Sequence, residues 1–275
     1  MSTDAILAIA HKELSDRLKS RWVMVIAIGF TLFTLIISYF GTIPSGVAGF
    51  RDLDATIASL TSLVIYFIPI LALTLGGGII ADERDKGTLE LFLCSPISVW
   101  EFILGKFAGL SVSLALSTLL GFGVSGIILI TKTGTESVAG YLIFIIHSIL
   151  LGIIFLSISF FISILFDERS RVIAVTVFSW LFFTLLYDLG LVGLLIVTKG
   201  SIGADIFSLL MILNPVDVYR ILNFISIDQS AVFLGLASVE VPSYMTTSIL
   251  WGISLIWGTL PLVASYILFK RKYLK

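Results

Sequence analysis

Apolar runs long enough to cross roughly 30 Å of hydrocarbon at about 1.5 Å of helical rise per residue occur six times, over residues 22–40, 57–80, 102–130, 141–166, 172–198 and 248–269. Each reads as a transmembrane helix, and six of them return both termini to one side. Ahead of the first run, residues 1–21 carry Ile6, Leu7, Ala10, Leu14 and Leu18 at helical spacing against Asp4, Lys12, Glu13, Asp16, Arg17 and Lys19. That pattern predicts an amphipathic elbow helix lying at the membrane interface.

The basic residues decide which side is which. Lys12, Arg17, Lys19, Arg21, Arg84, Lys86, Lys106, Arg169, Arg171, Lys270, Arg271, Lys272 and Lys275 flank the spans on the terminus side, whereas Arg51, Lys132, Lys199 and Arg220 fall on the other. By the positive-inside rule both termini are expected in the cytosol, in the cytoplasmic membrane. Composition agrees with a polytopic chain embedded in the lipid bilayer: 58% hydrophobic, 13% charged, mean hydropathy +1.11. No basic face is available for nucleic acid. Cys94 is the sole cysteine, so neither an intrachain disulfide nor a cysteine-based zinc site can be built. The first apolar run is too long for a signal-peptide core and is expected to remain as a span.

The connections differ in character. Residues 82–101 form a charged and amphipathic cytosolic segment, and DERSR at 167–171 forms a smaller one on the same side. The outer loop at 199–247 is too long for a bare turn and is expected to carry function. Within it, Asn214, Pro215 and Asp217 read as N-cap, first-turn proline and acidic N3 residue of a short helix, NPVDVYRILNF. With Val218, Ile221 and Leu222 on one side, that helix is expected at the outer membrane surface. There Asn214, Pro215, Asp217, Tyr219 and Arg220 are candidates to meet an extracytosolic partner, the alternative being an interfacial cap that orders the loop. In the second span, Pro69 and Gly76–Gly78 suit either a hinge or close helix packing.

Few residues carry chemistry. Asp188 is the one acidic residue deep within an apolar run, and an intramembrane carboxylate is by default a functional candidate. With no basic residue in any span to pair with it, desolvation is expected to favour its neutral form, whether it handles a proton or polar substrate or serves a neighbouring helix. Gly123-Val124-Ser125-Gly126 has the GxSG form of intramembrane serine proteases, with His147 on the next span at similar depth. The same small residues make an ordinary helix-packing surface, and a hydrolase needs Ser125 and His147 within hydrogen-bond reach. Met, Cys and His are scattered singly, which argues against passage of a soft metal. No Walker A loop is present, so the chain itself is expected neither to bind nor to hydrolyse ATP.

The sequence Glu83-x-x-x-Gly-Thr-Leu-Glu-Leu-Phe-Leu-Cys-Ser-Pro96 followed by ILGK at 103–106 resembles the cytosolic connection of type-2 ABC permeases, the six-span ABC-2 family. IAHKELSDRLKSRW at 9–22, DATIASLTSLV at 54–64 and ILNPVDVYRILN at 212–223 are similar to the permeases of nitrous oxide reductase maturation transporters. The resemblance implies an all-α permease domain over 1–275, paired with a second copy of itself. Two cytosolic ATPase subunits that bind ATP and Mg would drive it, and the permease itself would be non-catalytic. It implies that residues 87–97 form the coupling helix, with Gly87 and Thr88 among the coupling residues, Glu83, Arg84, Asp85, Lys86 and Glu90 offering charge, and Leu89, Leu91, Phe92 and Leu93 offering apolar area. Pro96 ends it. It further implies an extracytosolic partner protein and a part in copper-site maturation. A generic ABC-2 exporter of lipid, peptide or drug and an intramembrane serine hydrolase are the alternative readings.

Overall fold

The computed structural model describes residues 2–40, 53–94, 96–135, 137–199, 201–227, 242 and 244–273, without the side chains of 53–55 and 93. Every regular element among these residues is helical: α1 (Thr3–Lys19), α2 (Trp22–Phe40), α3 (Leu53–Asp85), α4 (Thr88–Leu93), α5 (Val99–Thr133), α6 (Val138–Leu165), α7 (Arg169–Leu181), a π-helical turn (Phe182–Leu186), α8 (Tyr187–Val197), α9 (Ala204–Ile212), α10 (Pro215–Ser226) and α11 (Thr247–Tyr273). Six helical stretches are long and apolar enough to cross a membrane: Trp22–Phe40, Thr56–Asp85, Val99–Thr133, Val138–Leu165, Arg169–Val197 and Thr247–Tyr273. The chain is therefore an all-α, polytopic membrane protein. These helices coincide with the six apolar runs. Several run a turn beyond them at one end, because polar residues at the rim stay helical after leaving the apolar layer.

The helix α6 is the axis of the bundle, with 72% of its most apolar stretch buried, packed against α3, α5, α10 and α11. Its serines let neighbours approach closely. Ser159 Oγ donates to the Leu73 carbonyl at 2.7 Å, and Ser163 Oγ accepts from the Ile80 amide at 3.2 Å. At Gly76 a β-carbon would stand 2.8 Å from Ser159 Oγ and 2.9 Å from Leu156 Cδ1, so the glycine serves close packing of α3 on α6. The helix α3 passes through Pro69 unbroken, and Trp180 Nε1 donates at 2.9 Å to the Tyr66 carbonyl one turn before the proline. By contrast, only 11% of the most apolar stretch of Arg169–Val197 is buried, which puts α7 and α8 on the perimeter.

The end of the bundle that carries both termini is called basal here, and the opposite end distal. The sequence led to the expectation that the Asn214 helix lies on the outer membrane surface; the structure corrects this. Helix α9 descends from the distal end and α10 climbs back, making a re-entrant hairpin between α6, α8 and α11. At its tip, Asn214 Nδ2 donates at 3.0 Å to the Phe183 carbonyl, about halfway along Arg169–Val197. Trp257 Nε1 donates at 3.1 Å to the Ile212 carbonyl from well inside α11. The whole of Pro215–Asn223 is buried except Arg220, which is partly so. The physical reason is that its polar residues find partners inside the bundle. The remainder of the outer loop, at 228–241, lies outside the described residues.

Candidate functional site: two polar networks at opposite ends of the bundle

At the basal end, three elements distant in sequence meet on one buried cation. Lys106, near the start of α5, has a side chain 4% exposed. Its Nζ lies 3.1 Å from Glu13 Oε2 on α1 and 2.7 Å from Glu83 Oε1 on α3. The rings of Phe92 and Phe102 stand 6.0 and 5.5 Å from the same ammonium. Glu83 also accepts a hydrogen bond from the Thr88 hydroxyl, and Arg17 pairs with Glu13 at 3.3 Å. The start of α5 is fixed by a capping box: Ser98 Oγ accepts from the Glu101 amide at 3.3 Å, and Glu101 Oε2 accepts from the Ser98 amide at 2.8 Å. Glu101 accepts in addition from the Ser2 amide, which ties the beginning of α1 to α5. The elbow, α3 and α5 are thus pinned together around α4.

Gly87 makes the corner between α3 and α4. Its φ of 69° lies in the left-handed region, which favours glycine, so a side chain there would strain the turn. The single turn and a half of α4 then divides its residues. Leu89 is buried and the ring of Phe92 packs at a tilt against Phe102 with centroids 4.6 Å apart, so both are used inside the chain. Leu91, 71% exposed, projects outward beside exposed Asp85, Lys86, Glu90, Cys94 and Pro96.

Of the residues that the sequence assigned to charge-specific docking, Glu83 and Arg84 turn inward. Arg84 Nη1 donates to the carbonyls of Phe166, at 3.3 Å, and Asp167. The loop at 167–171 is likewise engaged within the chain: Asp167 Oδ1 meets Lys272 Nζ at 2.6 Å, and Arg169 Nη1 stands 3.3 Å from Asp82 Oδ1. The Lys272 hydrogen bond outweighs the opposing desolvation and, with the neighbouring Lys272, Arg84 and Arg171 charges, holds the Asp167 carboxyl below the usual carboxylate range.

The distal network corrects the expectation of an unpaired Asp188. Arg220 of α10 forks between two carboxylates, with Nη2 2.8 Å from Asp188 Oδ2 and Nη1 2.6 Å from Asp217 Oδ1. Asp217, fully buried, also accepts from Asn214 Nδ2 at 3.0 Å, and Asn214 Oδ1 caps α10 by accepting from the Val216 amide at 3.0 Å. The carbonyl reached by Asn214 belongs to the π-helical turn, where the hydrogen-bond register slips and Tyr187 donates back to Phe182. Tyr219 meets Ser148 Oγ at 3.2 Å, and Asn223 Oδ1 lies 3.2 Å from His147 Nδ1. Asn214, Pro215, Asp217 and Tyr219 therefore face the bundle rather than a partner beyond the membrane. The pairing was hidden because Arg220 lies 32 residues from Asp188, outside any apolar span.

The serine–histidine pairing is not formed. Ser125 Oγ donates to the Gly121 and Phe122 carbonyls at 2.9 and 3.0 Å and meets Tyr141 Oη at 3.3 Å. His147 Nδ1 is taken by Asn223, and its ring packs against Trp251 with centroids 5.6 Å apart.

Comparisons with known proteins agree with the architecture. The family model described as ABC-2 family transporter protein matches residues 7–274. A probable ABC transporter permease protein NosY of Stutzerimonas stutzeri is 35% identical over 270 residues, covering 96% of this chain and 97% of that protein. The protein of the same description in Pseudomonas aeruginosa is 34% identical over 272 residues, covering 97% of this chain and 98% of its own length.

Proposed function

Because the chain belongs to the ABC-2 family of transporter proteins, we propose that it is the membrane-spanning subunit through which a separate cytosolic ATPase drives rearrangement of the bundle, and that α4 is the contact. The observation that carries this reading is the division of labour in α4. Leu89 and Phe92 anchor the helix, the Lys106 network clamps its three neighbours, and Leu91 and Glu90 are left projecting. Load applied to α4 reaches α1, α3 and α5 together through Glu13, Glu83 and Lys106. A projecting leucine ringed by charge is the composition of a small protein-docking knob, with an apolar anchor and a polar rim. The basal excess of Lys and Arg supports a cytosolic position for this end in the cytoplasmic membrane. ATP and Mg belong to the partner.

The working unit is proposed as two copies of this chain with two ATPases. Likeness to proteins described as NosY permeases, together with the three stretches at 9–22, 54–64 and 212–223, supports a role in maturing the copper site of nitrous oxide reductase, with an extracytosolic partner. The inward-facing Asn214–Asn223 segment suggests that such a partner reads the distal rim rather than these side chains. The Asp188–Arg220–Asp217 fork is proposed to lock the re-entrant hairpin to α8. Affinity purification from native membranes tests the reading: the chain should bring down an ATPase in equal amount, and Leu91→Asp should release it while leaving the chain folded. Recovery of the chain without any ATPase would contradict it.

A further inference from the structure

A cavity of about 390 Å³ opens at the basal boundary between α1, α2, α3 and α7, apart from the α4 surface. Its size lies within the roughly 300–1,000 Å³ range of small-molecule sites. Its floor is the side-chain-free surface of Gly77 and Gly78, and its apolar wall includes Val172, Ile173 and Val177. Ile173 and Val177 are exposed, and with Phe178 they continue the wall along the outer face of α7. The rim is charged. Arg169 Nη1 approaches Asp82 Oδ1 at 3.3 Å, but Asp82 Oδ1 accepts no hydrogen bond, and both side chains are more than a third open to solvent. Such a loose pair is weak and easily exchanged. Arg17 at the same rim already answers Glu13, so the exchangeable charges are one guanidinium and one carboxylate.

We propose that this cavity seats the headgroup of a zwitterionic glycerophospholipid bearing a primary amine, phosphatidylethanolamine by chemistry. The phosphate would take Arg169 and the ammonium Asp82, so that one loose ion pair becomes two hydrogen-bonded ones. An acyl chain would lie along Ile173, Val177 and Phe178. Two further groups in the wall support the choice. Trp22 Nε1 and the hydroxyl of Thr176, whose residue is 3% exposed, have no hydrogen-bond partner among the described residues. Buried donors without acceptors are uncommon, and a phosphate reaching the glycine floor satisfies them after side-chain rotation. An anionic headgroup lacking an amine leaves Asp82 facing negative charge, and a quaternary amine cannot donate to it. This inference stands apart from the ATPase contact.

The test uses the full chain purified with its complex, delipidated, and titrated by native mass spectrometry with dioleoyl phosphatidylethanolamine, phosphatidylcholine or phosphatidylglycerol. Water-soluble glycerophosphoethanolamine is the fourth probe. Phosphatidylethanolamine should bind about tenfold more tightly than the other two lipids, a margin set by one charge-assisted hydrogen bond. Asp82→Asn should abolish that preference, whereas Arg169→Gln should weaken all three lipids alike. The soluble headgroup should compete only weakly. Equal binding of the three lipids overturns the proposal, as does a preference that survives Asp82→Asn. Competition by the soluble headgroup as strong as by the lipid also overturns it. So does quantitative disulfide formation between copies carrying Ile173→Cys in native membranes, which would show a second chain in the groove.

Discussion

Replacing Lys106 by Met is the sharpest perturbation of the basal clamp. The methionine keeps most of the volume against Phe92 and Phe102 but removes the ammonium, leaving Glu13 and Glu83 facing each other with side chains 11% and 18% exposed. Breaking a buried ion pair by removing one partner costs about 3–5 kcal/mol, because the other charge stays desolvated. Glu83 sits close to the rim and retains the Thr88 hydroxyl, so the lower part of that range, about 3 kcal/mol, is expected here. Neutralising the carboxylates as well, in Glu13→Gln/Glu83→Gln/Lys106→Met, should recover at least half of the loss, since neutral amides carry a much smaller desolvation cost. Equilibrium unfolding of the detergent-solubilised chain in increasing sodium dodecyl sulfate, read by tryptophan fluorescence, measures both. Lys19→Met, at an exposed position of α1, serves as the control. If Lys106→Met unfolds like that control, or if the triple variant is less stable than the single one, the three-way clamp is refuted.

Other consequences follow from the same structure. Arg220→Met strands Asp188 and Asp217 together and should destabilise the hairpin by about 3–5 kcal/mol, with hydrogen exchange rising first in α9 and α10; Asp188→Asn, which keeps an acceptor for Arg220, should cost much less and leave ATPase-coupled activity the same as that of the wild type at every pH tested. Ser125→Ala removes only helix-carbonyl contacts and one approach to Tyr141, so coupled activity should be unchanged; its loss with assembly intact would revive a nucleophilic role. Asp167→Asn should cost about 0.2–1 kcal/mol at neutral pH, discounted because that side chain is 68% exposed. Because its folded carboxyl is held below the ordinary value of about 3.9, this contribution is present above that value and disappears as pH falls through the lower folded one. The wild type and the variant should therefore converge in acid.

The six spans were legible because apolar length is a local property, and so was the N-cap of α10, since Asn214, Pro215 and Asp217 announce it within four residues. The depth of that helix was not. A cation such as Arg220 reads as a surface residue until its partners are known, and Asp188 arrives only through the fold. Lys106 presents the same difficulty, looking like a flanking charge at the end of a span while its two carboxylates lie 93 and 23 residues away. In α4 the sequence shows four apolar residues within five positions, interrupted by Glu90, but not that Leu89 and Phe92 turn inward and Leu91 outward. That split depends on the αL corner at Gly87, which sets the rotation of the helix. The Ser98–Glu101 capping box did carry a local signal, S-x-x-E, at the entry to α5.

The most direct measurement of the central claim uses Cys94, the chain's one cysteine, which is exposed at the end of α4. A membrane-impermeant maleimide applied to inverted membrane vesicles should label Cys94 rapidly in the chain alone and several-fold more slowly once the ATPase is bound. Intact cells treated with the same reagent should show no labelling. Equal labelling with and without the ATPase would contradict α4 as the contact, and labelling from outside intact cells would contradict the cytosolic position of the basal end.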